Sequence, residues 1–281
     1  MKNDTPKVAC ITGANSGIGL ELTKRLLAEG WHIIAMNRSE FPDHELSIQQ
    51  AIRQNRLQLY RVDLRDFAQL KVVLQRIVAD VEAVDALFNN AGISLANSDV
   101  SRQGREAHYE VNTVAPYIVL MELKPLLLRG VTKTVINTSS NASLTVKRLN
   151  PETLGQVRHF RKLLGPYADS KLALSLWSQQ VAPALATEGI RIRSVCPGPN
   201  KTPMTKSSGM PAFMTPLVHL FFSPPSKGAA RLYDAAFHRQ QTDNGAFLVK
   251  GKPVQAPFAH YAEEILRKTD EIYRLEFTQV Q

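Results

Sequence analysis

Tyr167-Ala168-Asp169-Ser170-Lys171 places a phenol and an ammonium four residues apart. On a helix, positions i and i+4 share a face, so both side chains can reach one site. A free tyrosine, with a pKa of about 10, is a poor base at neutral pH. A lysine cation about 4 Å away contributes roughly 4 kcal/mol at an effective dielectric near 20. That equals about 3 pH units on the phenol at about 1.4 kcal/mol each, and desolvation opposes part of the gain. Such a pair is suited to moving a proton to or from an alcohol or carbonyl oxygen. The same spacing is common in plain surface pairs, so its meaning depends on the elements around it.

Upstream, the run 134–140 reads as a buried strand with Ser139 and Ser140 at its carboxyl end, the edge where open α/β sheets bind ligands. A serine hydroxyl there can donate to a substrate oxygen as charge develops on it. The same two serines could equally serve as turn or N-cap residues. Near the N-terminus, Thr12-Gly13-Ala14-Asn15-Ser16-Gly17-Ile18-Gly19 joins a strand-like run to an amphipathic segment. Glycine permits positive φ and close backbone approach, and the free N–H groups and dipole of a helix start attract a pyrophosphate. The spacing is G-x-x-x-G-x-G, not the commoner dinucleotide fingerprint G-x-G-x-x-G.

About 20 residues past such glycines, an NAD site carries a carboxylate for the ribose 2′-hydroxyl. Here Asn37-Arg38-Ser39 stands at that place. The planar fork of Arg38 suits a 2′-phosphate and favours NADP(H). Glu40, two residues on, keeps NAD(H) as the alternative.

These residues need a scaffold that gathers strand ends along one edge. Strand-like runs at 7–12, 32–36, 57–62, 86–89, 134–138, 190–196 and 246–250 alternate with helix-period segments such as 20–29, 67–81 and 170–186. That alternation predicts βαβ units, a parallel sheet and helices on both faces. Two stretches break the rhythm, 142–166 and the Met-, Phe- and Pro-rich 203–225; long connections in such domains are often functional insertions or lids.

With 281 residues, 44% hydrophobic and 21% charged, the composition is that of an ordinary globular chain. The net charge of +9 is spread along the chain, so a nucleic-acid partner is not expected. The densest basic stretch, Lys147 to Lys162, reads as a solvated face, with a substrate-facing patch as the alternative. Cys10 and Cys196 lie far apart in strand-like runs and offer neither a disulfide framework nor metal-ligand spacing. The seven histidines show no paired ligand spacing, so no metal is expected. No apolar stretch is read as approaching the roughly 20 residues that span a bilayer. A short polar N-terminus and this pattern predict a cytoplasmic protein with no stable membrane insertion.

Taken together, the motifs resemble the short-chain dehydrogenase/reductase family over about residues 6 to 202. The resemblance rests on the glycine turn, Asp63 after the third strand, Asn89-Asn90-Ala91-Gly92, Asn112, Ser139-Ser140, Tyr167 with Lys171, and Pro197-Gly198 followed by Thr202. It implies a three-layer Rossmann-type doubly wound α/β sheet, with residues 1–281 as one domain. It implies that Tyr167 donates the proton in reduction and that Lys171 lowers its pKa while holding the nicotinamide ribose. Ser140, the second of its pair, would polarise the carbonyl, and Asn112 would hold a water linking Lys171 to solvent. Asp63 and Leu64 would meet the adenine, and Asn90, Ala91 and Gly92 would line the cofactor. Pro197, Gly198 and Thr202 would flank the nicotinamide.

Ser140 stands farther ahead of Tyr167 than in many family members, so 142–166 is an insertion beside the site. This resembles retinol-dehydrogenase-like, carbonyl-reductase-like and protochlorophyllide-reductase-like members. It weakens any inference of tetrameric packing; a homodimer through the helices bearing Asn112 and Tyr167 is the implied assembly. The stretch 203–225, with Met204, Phe213, Met214, Phe221 and Phe222, occupies the family's lid position and suits a bulky apolar substrate, though a core helix is the plainer reading. The expected function is NADP(H)-dependent interconversion of a carbonyl and an alcohol on a lipophilic or aromatic small molecule. The alternative is a non-catalytic NADP-binding regulatory or scaffold protein.

Overall fold

Parallel strands covered by helices on both faces read as unbroken apolar, β-branched runs. In the computed structural model, which describes residues 6–157, 160–201, 222–238 and 244–278, seven such runs become β1 (Val8–Thr12), β2 (His32–Asn37), β3 (Leu57–Arg61), β4 (Ala86–Asn89), β5 (Thr134–Thr138), β6 (Arg191–Cys196) and β7 (Phe247–Val249). They stand in the order 3-2-1-4-5-6-7, and each neighbouring pair is parallel. An eighth strand the sequence did not announce, β8 (Lys252–Val254), pairs antiparallel with β7. Lys250 and Gly251 turn the chain between them with φ of 50° and 74°, the left-handed pair a two-residue hairpin turn requires.

The helices are α1 (Gly17–Ala28), α2 (Leu46–Arg53), α3 (Phe67–Asp80), α4 (Ala107–Arg129), α5 (Pro166–Thr187), α6 (Pro225–Phe237) and α7 (Ala262–Tyr273). Side chains alternate across each strand and so feed two cores. Ile11, Ile33, Phe88 and Val195 pack with residues of α1, α2 and α6 on one face. Cys10, Ile34, Leu87, Val135 and Ile192 pack with α3, α4, α5 and α7 on the other. The result is the expected three-layer, doubly wound α/β fold.

Two helices differ from their sequence pattern in ways that matter for the site. The apolar period suggested 170–186, whereas α5 starts earlier, with Pro166 in its first turn, where a missing N–H costs nothing. Tyr167 therefore sits at the very start of the helix. Helix α4 is 23 residues long and apolar enough to cross a bilayer, and 72% of its most apolar window is buried in the fold. This corrects the reading that no apolar stretch approaches spanning length. Buried polar residues such as Glu106, His108, Glu110 and Asn112 interrupt the apolar run and mask it in the sequence.

The dimer face inferred for the Asn112 and Tyr167 helices is not bare. Helix α7 lies across α4 and α5 and buries Ala262, Ile265 and Ile272. The Tyr117 hydroxyl donates to Asp270 at 2.9 Å and the Tyr273 hydroxyl to Glu122 at 2.8 Å. Helix α7 thus covers part of the helices bearing Asn112 and Tyr167. The insertion packs against the same neighbourhood: Lys268 of α7 donates to the carbonyls of Pro151 and Glu152. Thr202 and residues 203–221 of the stretch expected to be a lid lie outside the described residues. The stretch's two ends are joined, since Lys201 N donates to Ser223 O at 2.9 Å and Ser223 N to Pro199 O at 3.0 Å.

Candidate active site

Strand order reverses between β1 and β4, and open α/β sheets bind ligands in the crevice outside the strand ends at such a point. Thr12, Asn37, Arg61, Asn89, Thr138 and Cys196 end their strands along that edge. The glycine turn leaves β1 here. Gly13 holds φ +66° and donates its N–H to Met36 O at 2.8 Å. Asn15 Nδ2 donates to Ser39 O, Ser39 Oγ and Glu40 O at 2.9–3.0 Å, which ties the glycine turn to the end of β2. Ser16 precedes α1 without capping it through its side chain, so the first N–H groups of the helix are left for another acceptor.

The cradle is tight. A Cβ on Gly19 would stand 2.0 Å from Gly13 O and 2.6 Å from Asn90 Nδ2. Asn90 Nδ2 in turn donates to Thr12 O and Gly13 O at 3.1 and 3.2 Å, and Ala91 N to Thr12 Oγ1 at 3.0 Å. Ile18 packs under Gly228 of α6. This shape, an uncapped helix start over a turn that no side chain may enter, fits a dinucleotide pyrophosphate. Gly19→Ala is expected to weaken NADPH binding at least about tenfold, equivalent to about 1.4 kcal/mol, in a fluorescence titration.

At the ribose end, Arg38 is exposed. Asn37 Oδ1 accepts from Ala14 N at 2.7 Å, while its buried Nδ2 has no partner among the described residues. The Glu40 carboxylate lies 3.7 Å from Arg61 Nε, a cation at the end of β3 that sequence reading passed over. Asp63 Oδ1 accepts from Arg65 N at 3.0 Å, and Leu64 is buried in the core beside it.

The chemistry-bearing side chains meet where β5 and α5 approach. Ser140 follows β5 and its hydroxyl lies close enough to the Tyr167 phenol to lower its pKa, while Ser140 Oγ accepts from Ala142 N at 3.2 Å. Ser139 points elsewhere: its hydroxyl bonds Ser175 Oγ at 2.8 Å and Lys171 O at 3.2 Å, within the packing of α5. Lys171 is 3% exposed, and its Nζ donates to Thr138 O at 2.8 Å. A Cβ on Gly92 would lie 3.1 Å from Lys171 Nζ and 3.0 Å from Asn112 Oδ1, so these three converge beside the loop after β4. Asn112, in a π-type turn of α4, grips Ile93 twice, accepting from its N at 2.8 Å and donating to its O at 3.0 Å, and also donates to Ser170 Oγ at 3.1 Å. Single π turns inside helices recur at functional sites.

Burial pushes the Tyr167 phenol above its ordinary value, and the Ser140 hydroxyl opposes part of that rise. Lys171 itself is pushed down to about 7 by burial. Desolvation acts on both groups, and Lys171 spends a donor on the β5 carbonyl. Its spacing from Tyr167 says nothing about either effect.

On the far side, Arg231 of α6 donates from Nη1 to Pro197 O at 2.6 Å, and Asn200 Nδ2 to Pro197 O and Gly198 O at 3.0 and 2.7 Å. The turn expected to flank the nicotinamide is thus braced by two side chains that no local motif marks.

The family model described as short chain dehydrogenase matches residues 7–152 and 153–211. Retinol dehydrogenase 12 of Mus musculus is 28% identical over 79% of this chain and 71% of its own length. Polyprenol dehydrogenase of Danio rerio is 27% identical over 93% and 84%. The NADPH-bound carbonyl reductase from chicken fatty liver superposes with a TM-score of 0.67 at 23% identity, covering 89% of this chain and 98% of that one. The matched span carries the glycine turn, Ser140, Tyr167 and Lys171 on one sheet edge, and the chain belongs to the short-chain dehydrogenase family of oxidoreductases.

Proposed function

We propose that the protein interconverts a carbonyl and an alcohol on a lipophilic or aromatic small molecule, using NADP(H). The observation that carries this reading is the placement of Ser140, Tyr167 and Lys171 where β5 and α5 meet, with Lys171 Nζ on Thr138 O at 2.8 Å, on the edge that bears the glycine cradle. When bound, the nicotinamide supplies or receives the hydride. In reduction, Ser140 donates to the carbonyl oxygen as negative charge develops there. Tyr167 then passes its phenolic proton to that oxygen. Burial favours the neutral phenol, which is the form needed to donate. Asn112 holds the loop after β4 through Ile93, and Lys171 lies beside Gly92.

The relatives' named alcohols, retinol and polyprenol, are apolar chains, which agrees with the Met- and Phe-rich stretch after Pro197-Gly198. Leu144, in the turn just after Ser140, is 38% exposed and offers an apolar rim. The NADP(H) preference is supported by Arg38 at the β2 end and by Arg61 drawing Glu40 aside. A cytoplasmic setting agrees with two buried free thiols, Cys10 and Cys196.

NADPH oxidation against a panel of aldehydes and ketones tests the reaction. Binding of NADPH with no turnover on any of them would instead indicate a scaffold protein. For the cofactor, Arg38→Glu is expected to erase a preference for NADPH over NADH of at least about tenfold, near 1.4 kcal/mol. Equal affinities in the unmodified protein would remove the Arg38 assignment.

A further inference from the structure

Glu106 and His108 form a buried pair at the start of α4, 2% and 1% exposed. The imidazole Nδ1 lies 2.7 Å from Glu106 Oε1, and Nε2 accepts from Leu95 N at 2.9 Å. An acceptor role for Nε2 leaves the hydrogen on Nδ1, directed at the carboxylate, so the two contacts fix both ring orientation and tautomer. Glu106 is itself held: its Oε2 accepts from Tyr109 N at 2.9 Å, and its backbone N donates to Gly155 O of the insertion at 2.8 Å.

The ring so fixed stands against the proton donor. His108 meets Tyr167 edge-on, centroids 6.3 Å apart at 81°, with Phe160 of the insertion 6.2 Å away on the imidazole. His108 and Asn112 are four residues apart on α4, and both grip the loop after β4: Asn112 at Ile93, His108 at Leu95.

We infer that His108, oriented by Glu106, is a positioning residue that sets the Tyr167 ring and residues 93–95 and couples both to the 142–166 insertion. This rests on Tyr167 being the proton donor. Small misplacement of such a donor is costly, since about 1 Å can remove about a hundredfold in rate. The insertion therefore acts on the reacting edge through His108 as well as packing against α7.

The test compares His108→Ala and His108→Gln, with Cζ-labelled tyrosine NMR on the full chain and Tyr167→Phe to assign the signal. In His108→Ala, kcat is expected to fall about 30-fold or more while the Kd for NADPH stays within about twofold. The Tyr167 resonance should shift and broaden. His108→Gln keeps an acceptor for Leu95 N and should restore the carbonyl KM without restoring kcat, because the amide offers no ring edge to Tyr167. A Tyr167 resonance unchanged in either folded variant overturns the inference, as does a parallel fall of kcat and NADPH affinity. Should His108→Ala not fold, the resonance and the KM-against-kcat split of His108→Gln decide. If the unmodified protein reduces no carbonyl, the proposed function falls, and the resonance still decides the positioning separately.

Discussion

Tyr167→Phe is expected to lower carbonyl reduction about a thousandfold, within the range general acid catalysis supplies, while the Kd for NADPH moves by no more than about twofold. The separation follows from where the hydroxyl points. The hydroxyl acts beside Ser140, just past the end of β5, whereas the glycine cradle is built from the β1 turn, Asn90 and the start of α1. The ring itself is 9% exposed and packs on His108, so phenylalanine keeps the shape and loses the proton. No loss of folding should accompany the loss of rate. A direction follows as well: burial holds the phenol above its ordinary value, so oxidation, which needs the phenolate, should keep rising with pH while reduction does not. The measurement is paired steady-state kinetics and cofactor titration. A Tyr167→Phe protein retaining a tenth of the activity would remove Tyr167 as the proton donor.

The path from sequence to site was short where local chemistry dictates local structure. The parallel strands were legible because a strand buried on both faces must be apolar throughout. The glycine turn was legible because Gly19 stands where a Cβ would collide with Gly13 O. Other features depend on partners far along the chain. Strand β8 contains Pro253 and lies at the sheet edge, where a missing N–H is tolerated, and Lys250 takes the left-handed turn position usually given to Asn, Asp or Gly. The i, i+4 spacing of Tyr167 and Lys171 shows that they share a face, yet it cannot reveal that Thr138 O takes the ammonium. Nor does the pattern of α7 say which surface it covers; Tyr117–Asp270 and Tyr273–Glu122 settle that only in three dimensions. The Glu106–His108 pair was passed over as ordinary because its partner, Leu95 N, lies in a loop with no motif of its own.

Lys171→Met is expected to stabilise the cofactor-free protein in mild acid. Burial moves the lysine from its ordinary value near 10.5 down to about 7. Between those values the unfolded chain keeps a proton that the folded chain has released. Stability rises with pH wherever the unfolded state binds more protons. The cost of burying the ammonium is therefore fully present below about pH 7 and fades as pH climbs, at about 1.4 kcal/mol per pH unit. Methionine has a similar length and no charge to desolvate, so the variant lacks this pH dependence. Relative to Lys171→Met, the unmodified protein should gain about 2 kcal/mol between pH 7 and pH 9, the slope reaching its full value only above pH 7, read as the difference in urea unfolding free energies. The lost hydrogen bond to Thr138 O shifts the whole curve by a constant and leaves its slope untouched. A difference that stays flat from pH 6 to pH 9 would mean that Lys171 keeps its charge throughout, held by a partner or by water at the Gly92 side of the site. The ammonium would then be available to the phenol over the whole range. The downward shift would then be wrong, and a permanently charged Lys171 would bear on the Tyr167 phenol as the family resemblance implies.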